Sequence, residues 1–350
     1  MKKPAISTIA GLAGIAVAGA LAASAQAADL ADMYKGKQVK ILFGFSVGGT
    51  YGQYSLLMSE YLPKFIPGHP NIITQSMPGA GGLKASNYAA NVLPKDGLNL
   101  FEPPDSIIIN QLLRPKAARY EANKFTWLGN VVESNSVIVV RKGTGVDSWH
   151  DALKHKVVMS STGKGSQTFL VPKMLNGVFG AKFEIIMGYK GSHGSTHAIE
   201  LGETQGVSLT WLSLTKNRPH WFDDSKSDIK AIPIIQVGFR KEPDLQNVPL
   251  ARELAKSKED KQIIDFIASL GPIGRGLAMP PGVPHKITMA LRDAFGKMVK
   301  DKTFIAAAEK RGLKVQSKTG EEVQKIVDEV LQISPAVVKR ARHAILGTES

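Results

Sequence analysis

The feature that most constrains this chain is a repeated unit: a short apolar run, a glycine-rich turn, then a helical stretch. Val39 to Phe45 has the composition of a buried strand. A turn through Gly48 and Gly49 follows, then a helical pattern to about Phe65. Asn71 to Gln75 reads as a second strand, followed by Pro78-Gly79-Ala80-Gly81-Gly82 and a helix over Leu83 to Leu93. Leu98 to Glu102 is a third strand. The middle of the chain repeats the unit. Ser136 to Val140, Val157 to Ser160, Phe183 to Met187 and Val207 to Leu212 read as strands, and helices open after Ser161–Ser166 and Gly188–Ser192. Ile232 to Val237 reads as a further, central-looking strand, although Pro233 argues against a central place. Parallel strands need crossover connections, so this alternation predicts an α/β fold with mainly parallel sheets. The end is helical: helices are expected near His285 to Lys300 and Lys302 to Lys310, after the stop at Pro280–Pro284. Thr319 is placed to cap a helix that opens with Gly320, Glu321 and Glu322, with the acids in its first turn.

The N-terminus does not follow this pattern. Lys2 and Lys3, an Ala/Gly-rich apolar run from Ile6 to Ala22, and Ala25-Gln26-Ala27 have the three parts of a secretory leader. Residues 1–27 are therefore expected to be a signal peptide cleaved near Ala27, with the periplasm as destination. A retained anchor is the alternative, but Gly and Ala make the run weakly apolar. No other segment approaches the ~20 apolar residues of a spanning helix. The 350 residues suit two domains at about 150 each. They include no cysteine, which excludes disulfides, thiol catalysis and cysteine-ligated metals. The net charge is +14, from 44 basic and 30 acidic residues. The basic residues are scattered, the densest run being Lys339–His343, so the surplus reads as a solvated surface attractive to anions rather than a nucleic-acid footprint.

Four turns share one physical design: Ser46–Tyr51, Pro78–Leu83, Ser161–Gln167 and Lys190–Ser195. Each follows a strand, opens a helix and is rich in Gly, Ser or Thr. Such turns let backbone N–H groups approach a ligand at the positive end of a helix dipole. In open α/β sheets they gather at the carboxyl ends of the strands, where ligands bind. Several in one cleft would hold an anion without a dominant Arg. Tyr189 and Trp211, each expected at a strand end, would wall a pocket or pack in the core.

Three motif matches fail for want of context. Gly44-Phe45-Ser46-Val47-Gly48 has the G-x-S-x-G spacing of a nucleophile elbow, which would make Ser46 the nucleophile of an exported hydrolase. It follows the first strand, however, and His285 and His343 lie in no recognisable catalytic loop. His193 and His197 are four apart but lack the third ligand and the glutamate of a zinc helix. Gly163-Lys164-Gly165-Ser166 lacks the Walker spacing, and there is no dinucleotide fingerprint.

Taken together, the motifs resemble the Bug family, the extracytoplasmic solute receptors of tripartite tricarboxylate transporters. The resemblance runs through nearly the whole mature chain. It rests on Lys35-Gly36-Lys37, Gly44–Gly49, Met77–Gly82, Pro94-Lys95-Asp96-Gly97, Trp127-Leu128-Gly129, Ser161–Ser166, Gly188-Tyr189-Lys190-Gly191, Leu245–Pro249 and Met279–Pro284. It implies a type II periplasmic binding protein, or Venus flytrap: two α/β domains joined by two hinge strands, near Leu128–Ser136 and Ile232–Gly238. Domain 1 would comprise 28–131 plus 239–350, and domain 2 would comprise 132–238.

The resemblance also implies no catalysis and no cofactor. The partners would be a small organic carboxylate and the large and small subunits of a membrane permease, with the receptor a monomer. A sensor adaptor for a two-component system is the alternative. The ligand-binding residues would be Phe45, Ser46, Gly48, Gly49, Tyr51, Pro78, Gly79, Ala80, Gly81, Gly82, Ser106, Thr162, Gly163, Gly165, Ser166, Gln167, Tyr189, Lys190, Gly191, Ser192 and Trp211. Many relatives carry an Asp just after the first Gly-Gly and an Arg four residues on; Tyr51 and Ser55 hold those places here. Loss of that acid favours a non-amino carboxylate.

Overall fold

The computed structural model describes residues 29–223 and 229–347; the expected signal peptide, 1–27, lies outside the described residues. Among the described residues eleven strands form two mixed sheets. The first contains β1 (Gln38–Phe43), β2 (Asn71–Ser76), β3 (Asn99–Glu102), β4 (Thr126–Val132), β10 (Arg275–Met279) and β11 (Lys318–Thr319), in the order β11-β4-β10-β3-β1-β2. The second contains β5 (Ser136–Arg141), β6 (Val157–Ser161), β7 (Phe183–Met187), β8 (Gly206–Thr210) and β9 (Ala231–Val237), in the order β7-β6-β8-β5-β9.

Parallel pairing is confined to the strand–turn–helix units. β1 pairs in parallel with β2 and β3, and β6 with β7 and β8. β10, β4 and β11 are antiparallel, as are β5 and β9 in the second sheet. The mainly parallel expectation thus fits half of each sheet. At the first crossing between lobes no helix intervenes: only Glu133–Asn135 separates β4 from β5.

Two local readings are corrected. β9 is an edge strand, not a central one, and its ladder with β5 is irregular opposite Pro233. An edge position tolerates the missing N–H. β8 ends at Thr210, whose hydroxyl accepts from the Ser213 N–H and so caps a helix over Trp211–Asn217. Trp211 and Leu212 are therefore helical. The capping box at Thr319 forms as read: its side chain accepts from the Glu322 N–H, and the Glu322 carboxylate accepts from the Thr319 N–H.

The core sits on both faces of each sheet. Leu42, Phe101, Trp127 and Ala278 meet the helices Leu83–Asn91 and Gly320–Leu331 on one face of the first sheet, and Ile41, Leu100, Leu128 and Leu277 bury the other. The carboxyl-terminal half does not follow its assignment to the first lobe throughout. The helix Lys258–Ala268 contributes Ile263, Ile264, Phe266 and Ile267, and the helix Pro335–Leu346 contributes Val337, Ala341 and Ile345, to one core with Ile138, Phe169 and Leu170. Both helices pack on the helix Gln167–Phe179 behind the second sheet. Apolar burial, not chain continuity, places them there.

Candidate functional site

The helices Thr50–Tyr61, Leu83–Asn91, Gln167–Phe179 and Ser192–Glu200 each begin just beyond the end of a strand. Their four glycine turns meet two by two across the lobe boundary. The first meets the fourth: the Ser46 N–H donates to the Lys190 carbonyl at 3.0 Å. The fit is close enough that a Cβ on Gly191 would lie 2.3 Å from the Ser46 Oγ, and one on Gly49 would lie 2.9 Å from the Ser192 Oγ. The second meets the third. A Cβ on Gly81 would lie 2.4 Å from the Ser166 N, and Gly81 is left-handed at φ +68°, so glycine is required on both counts. Ser106 Oγ and Asn110 Nδ2, after β3, both donate to the Gly165 carbonyl at 2.6 Å. Thr50 and Ser213 share a hydrogen bond of 2.7 Å between their hydroxyls. These bonds hold the lobes closed on each other.

Between the turns lies a cavity of about 30 Å³. Phe45, Gly49, Tyr51, Thr162, Ser166, Gln167 and Ser192 line it, all residues singled out from sequence. Thr50, Asp105, Thr168, Leu209, Ser213 and Arg275 complete the wall and were not foreseen. A space of this size holds about one water, so any larger solute enters only when the turns part.

Arg275, at the start of β10, is the surprise. Its side chain is 3% exposed. Its guanidinium lies over the Tyr51 ring, 3.8 Å from the centroid, and Phe45 stacks against Tyr51 at 4.5 Å. Its Nη1 is 3.5 Å from the Asp105 carboxylate, and its Nη2 reaches Thr50 and Thr210 at only 3.5 and 3.4 Å. Nε has no hydrogen-bond partner. A buried guanidinium with long contacts and a spare donor is an under-satisfied cation, and it favours an added anion. Burial alone would lower its pKa, but Tyr51, Asp105 and Glu102 carry it upward, so it stays charged. Burial pushes Asp105 above the usual carboxylate range, opposed by Arg275 and the Ser106 N–H. Burial pushes Glu102, which accepts from Ser55, up to about 8, so at neutral pH it is mostly protonated. The buried Arg275 guanidinium and the buried Asp105 side chain both face the cavity.

The third turn is organised by Thr168. Its hydroxyl is bonded to Ser161 Oγ at 3.0 Å, to the Thr162 N–H at 3.0 Å and to Ser166 Oγ. Ser166 also donates to the Gly163 carbonyl, so its hydroxyl already has partners within the turn. Pro78, Gly79, Ala80 and Gly82 shape the second turn, with left-handed or other positive φ at Gly79, Ala80 and Gly82. Gly163 and Gly165 seat against Ala80 and Gly81, and Gly48 faces His193. Two expected residues point elsewhere. Trp211 packs its ring on Phe222 and donates to Asp244 at 3.3 Å, because it opens a helix instead of ending a strand. The Tyr189 hydroxyl donates to Glu203 on the outer face. No histidine is bonded to Ser46 Oγ among the described residues. His193 and His197 are exposed with parallel rings 6.3 Å apart, and no group of three metal-ligating side chains occurs among the described residues.

The architecture is that of the two-lobed periplasmic binding proteins. The chain is similar to the periplasmic binding protein BugD, with a TM-score of 0.69 at 16% identity over 88% of this chain and 98% of that one. It is also similar to MatC from Rhodopseudomonas palustris with bound malate, with a TM-score of 0.68 at 19% identity over 86% and 99% of the two chains. A further R. palustris protein, solved with adipate, gives 0.67 at 18% identity over 87% and 97%. No family model matches the chain, and no curated protein matches it. No helix among the described residues is long and apolar enough to cross a membrane.

Proposed function

We propose that this chain is a periplasmic receptor that closes on a small organic carboxylate and delivers it to a membrane permease. The observation that carries the reading is Arg275: a buried cation with an unused Nε, lining a cavity with residues of the first, third and fourth helix-opening turns. The turns add backbone N–H groups and helix dipoles of the same sign. Two proteins of the same fold are named for a bound malate and a bound adipate. Opening of the lobes admits the anion, and closure buries it against Arg275 while Phe45 and Tyr51 form the apolar wall. The closed form is then what the permease recognises. Among the described residues no histidine is bonded to the Ser46 Oγ, which favours binding without turnover over a hydrolase at Ser46.

The test is a thermal-shift screen of refolded mature protein with di- and tricarboxylates, aromatic carboxylates, amino acids and sugars. Stabilisation confined to carboxylates supports the reading. Stabilisation by sugars alone, or turnover of a chromogenic ester that Ser46→Ala abolishes, overturns it.

A further inference from the structure

A second concavity, of about 820 Å³, lies away from the cavity at Arg275. Its walls come from three places: the segment after the helix Ile107–Leu113, the turn and helix around Lys164 and Lys173, and the carboxyl-terminal helix Pro335–Leu346. Five cations line it: Arg114, Lys116, Lys164, Lys173 and Arg342. Among the described residues no acid lines it and none of the five makes an ion pair, although carboxylates pair with many cations elsewhere. Arg342 is spent on the protein, donating to the Leu112 and Leu113 carbonyls at 2.7 and 3.0 Å. The Nη1 of Arg114 is buried without a partner. Phe169 and Leu346 give the floor apolar character.

We infer that this groove is a docking surface for an acidic segment of a protein partner, and that it is complete only when the lobes are closed. Charge complementarity names the occupant: unpaired cations from separate elements, spread over a groove far larger than the solute cavity, fit a chain carrying several carboxylates and an apolar side chain. The dependence on closure comes from Lys164. It sits between Gly163 and Gly165, the residues whose backbone seats against Ala80, Gly81, Ser106 and Asn110 of the other lobe. Arg114 and Lys116 follow the helix that carries Asn110, so parting of the Ser106 and Asn110 bonds to the Gly165 carbonyl on opening shifts Lys164 relative to them. A partner gripping Lys164 would hold a turn of the solute site.

The absence of cysteine allows a clean test that needs no solute. Thr50 and Ser213, whose hydroxyl oxygens are 2.7 Å apart across the lobes, are replaced in T50C/S213C, and oxidation locks the closed form. A short fluorescein-labelled Asp/Glu/Leu peptide is titrated by anisotropy into oxidised and reduced protein. The expected result is binding that weakens with salt, is tighter by about tenfold in the oxidised form, and is lost by at least as much in K116E/K164E/K173E. K302E/K310E, reversing charges outside the groove, leaves the affinity unchanged. Should the triple reversal fail to fold, K116Q/K164Q/K173Q serves, with a smaller loss expected. The inference is overturned by no binding to the oxidised protein, by equal binding to both forms, or by binding that the groove variants do not weaken. Because the lock replaces the solute, these outcomes are independent of whether a carboxylate binds at Arg275.

Discussion

Replacing Arg275 by methionine separates the two roles the structure gives it. The guanidinium is 3% exposed and is the cation beside the buried Asp105. Removing it leaves the buried Asp105 without its partner, and breaking a buried pair in this way costs about 3–5 kcal/mol. For a lobe of this size the melting temperature should fall by about ten degrees. The same substitution removes a hydrogen-bonding cation from the solute cavity, worth about 1.5–3 kcal/mol to a bound carboxylate, or roughly ten- to 150-fold in Kd. The double variant R275M/D105N distinguishes the two. With no unpartnered carboxyl it should regain most of the lost stability, yet it should bind no better than R275M. Denaturant unfolding and calorimetric titration with the best carboxylate of the screen measure the two quantities. If R275M/D105N binds that carboxylate as tightly as the parent, the role assigned to Arg275 in binding is wrong.

Other consequences follow from single residues. Glu102 keeps its proton, up to a pKa of about 8, where the unfolded chain has released it near 4.5. Its contribution to stability is therefore full below about pH 4.5 and is lost as the pH rises toward 8, so stability should fall across that window, and Glu102→Gln should flatten the fall in urea titrations at several pH values. Gly81→Ala places a Cβ 2.4 Å from the Ser166 N at a left-handed position. It should leave helix content intact by circular dichroism while abolishing the contraction on ligand addition seen by small-angle scattering; unchanged contraction would show that the second and third turns do not set closure. Thr168→Val keeps the shape but leaves the Thr162 N–H without its partner and costs the Ser161 and Ser166 hydroxyls one hydrogen bond each. Unfolding free energy should drop by about 1–3 kcal/mol and carboxylate affinity with it. Thr319→Ala removes half of a capping box and should cost about 1 kcal/mol without touching affinity.

Much of this was legible in the sequence because strand–turn–helix units are local. The runs at Gln38–Phe43 and Asn71–Ser76, the glycine turns after them and the Thr319 cap depend on neighbours along the chain, and each stands close to where its pattern placed it. Several site residues were legible for the same reason: turns that end parallel strands converge. What was missed depends on distant parts of the chain. Arg275 begins an apolar run, Gly274-Arg275-Gly276-Leu277-Ala278-Met279, and a lone charge there was the available signal; only the pairing of β10 with β3 and β4 brings it beside Tyr51 and Asp105. Trp211 was misplaced because Thr210, the cap that ends the strand, resembles any β-branched strand residue. The migration of the helices Lys258–Ala268 and Pro335–Leu346 onto the second lobe is written in their apolar faces, but not in which lobe covers them.

The central claim is that closure of these turns captures a carboxylate through its negative charge. The most direct measurement is calorimetric titration of refolded mature protein with malate and adipate beside their neutral diamides. The account predicts saturable binding of at least one dicarboxylate and none of its diamide. Equal affinity for an acid and its diamide would contradict it.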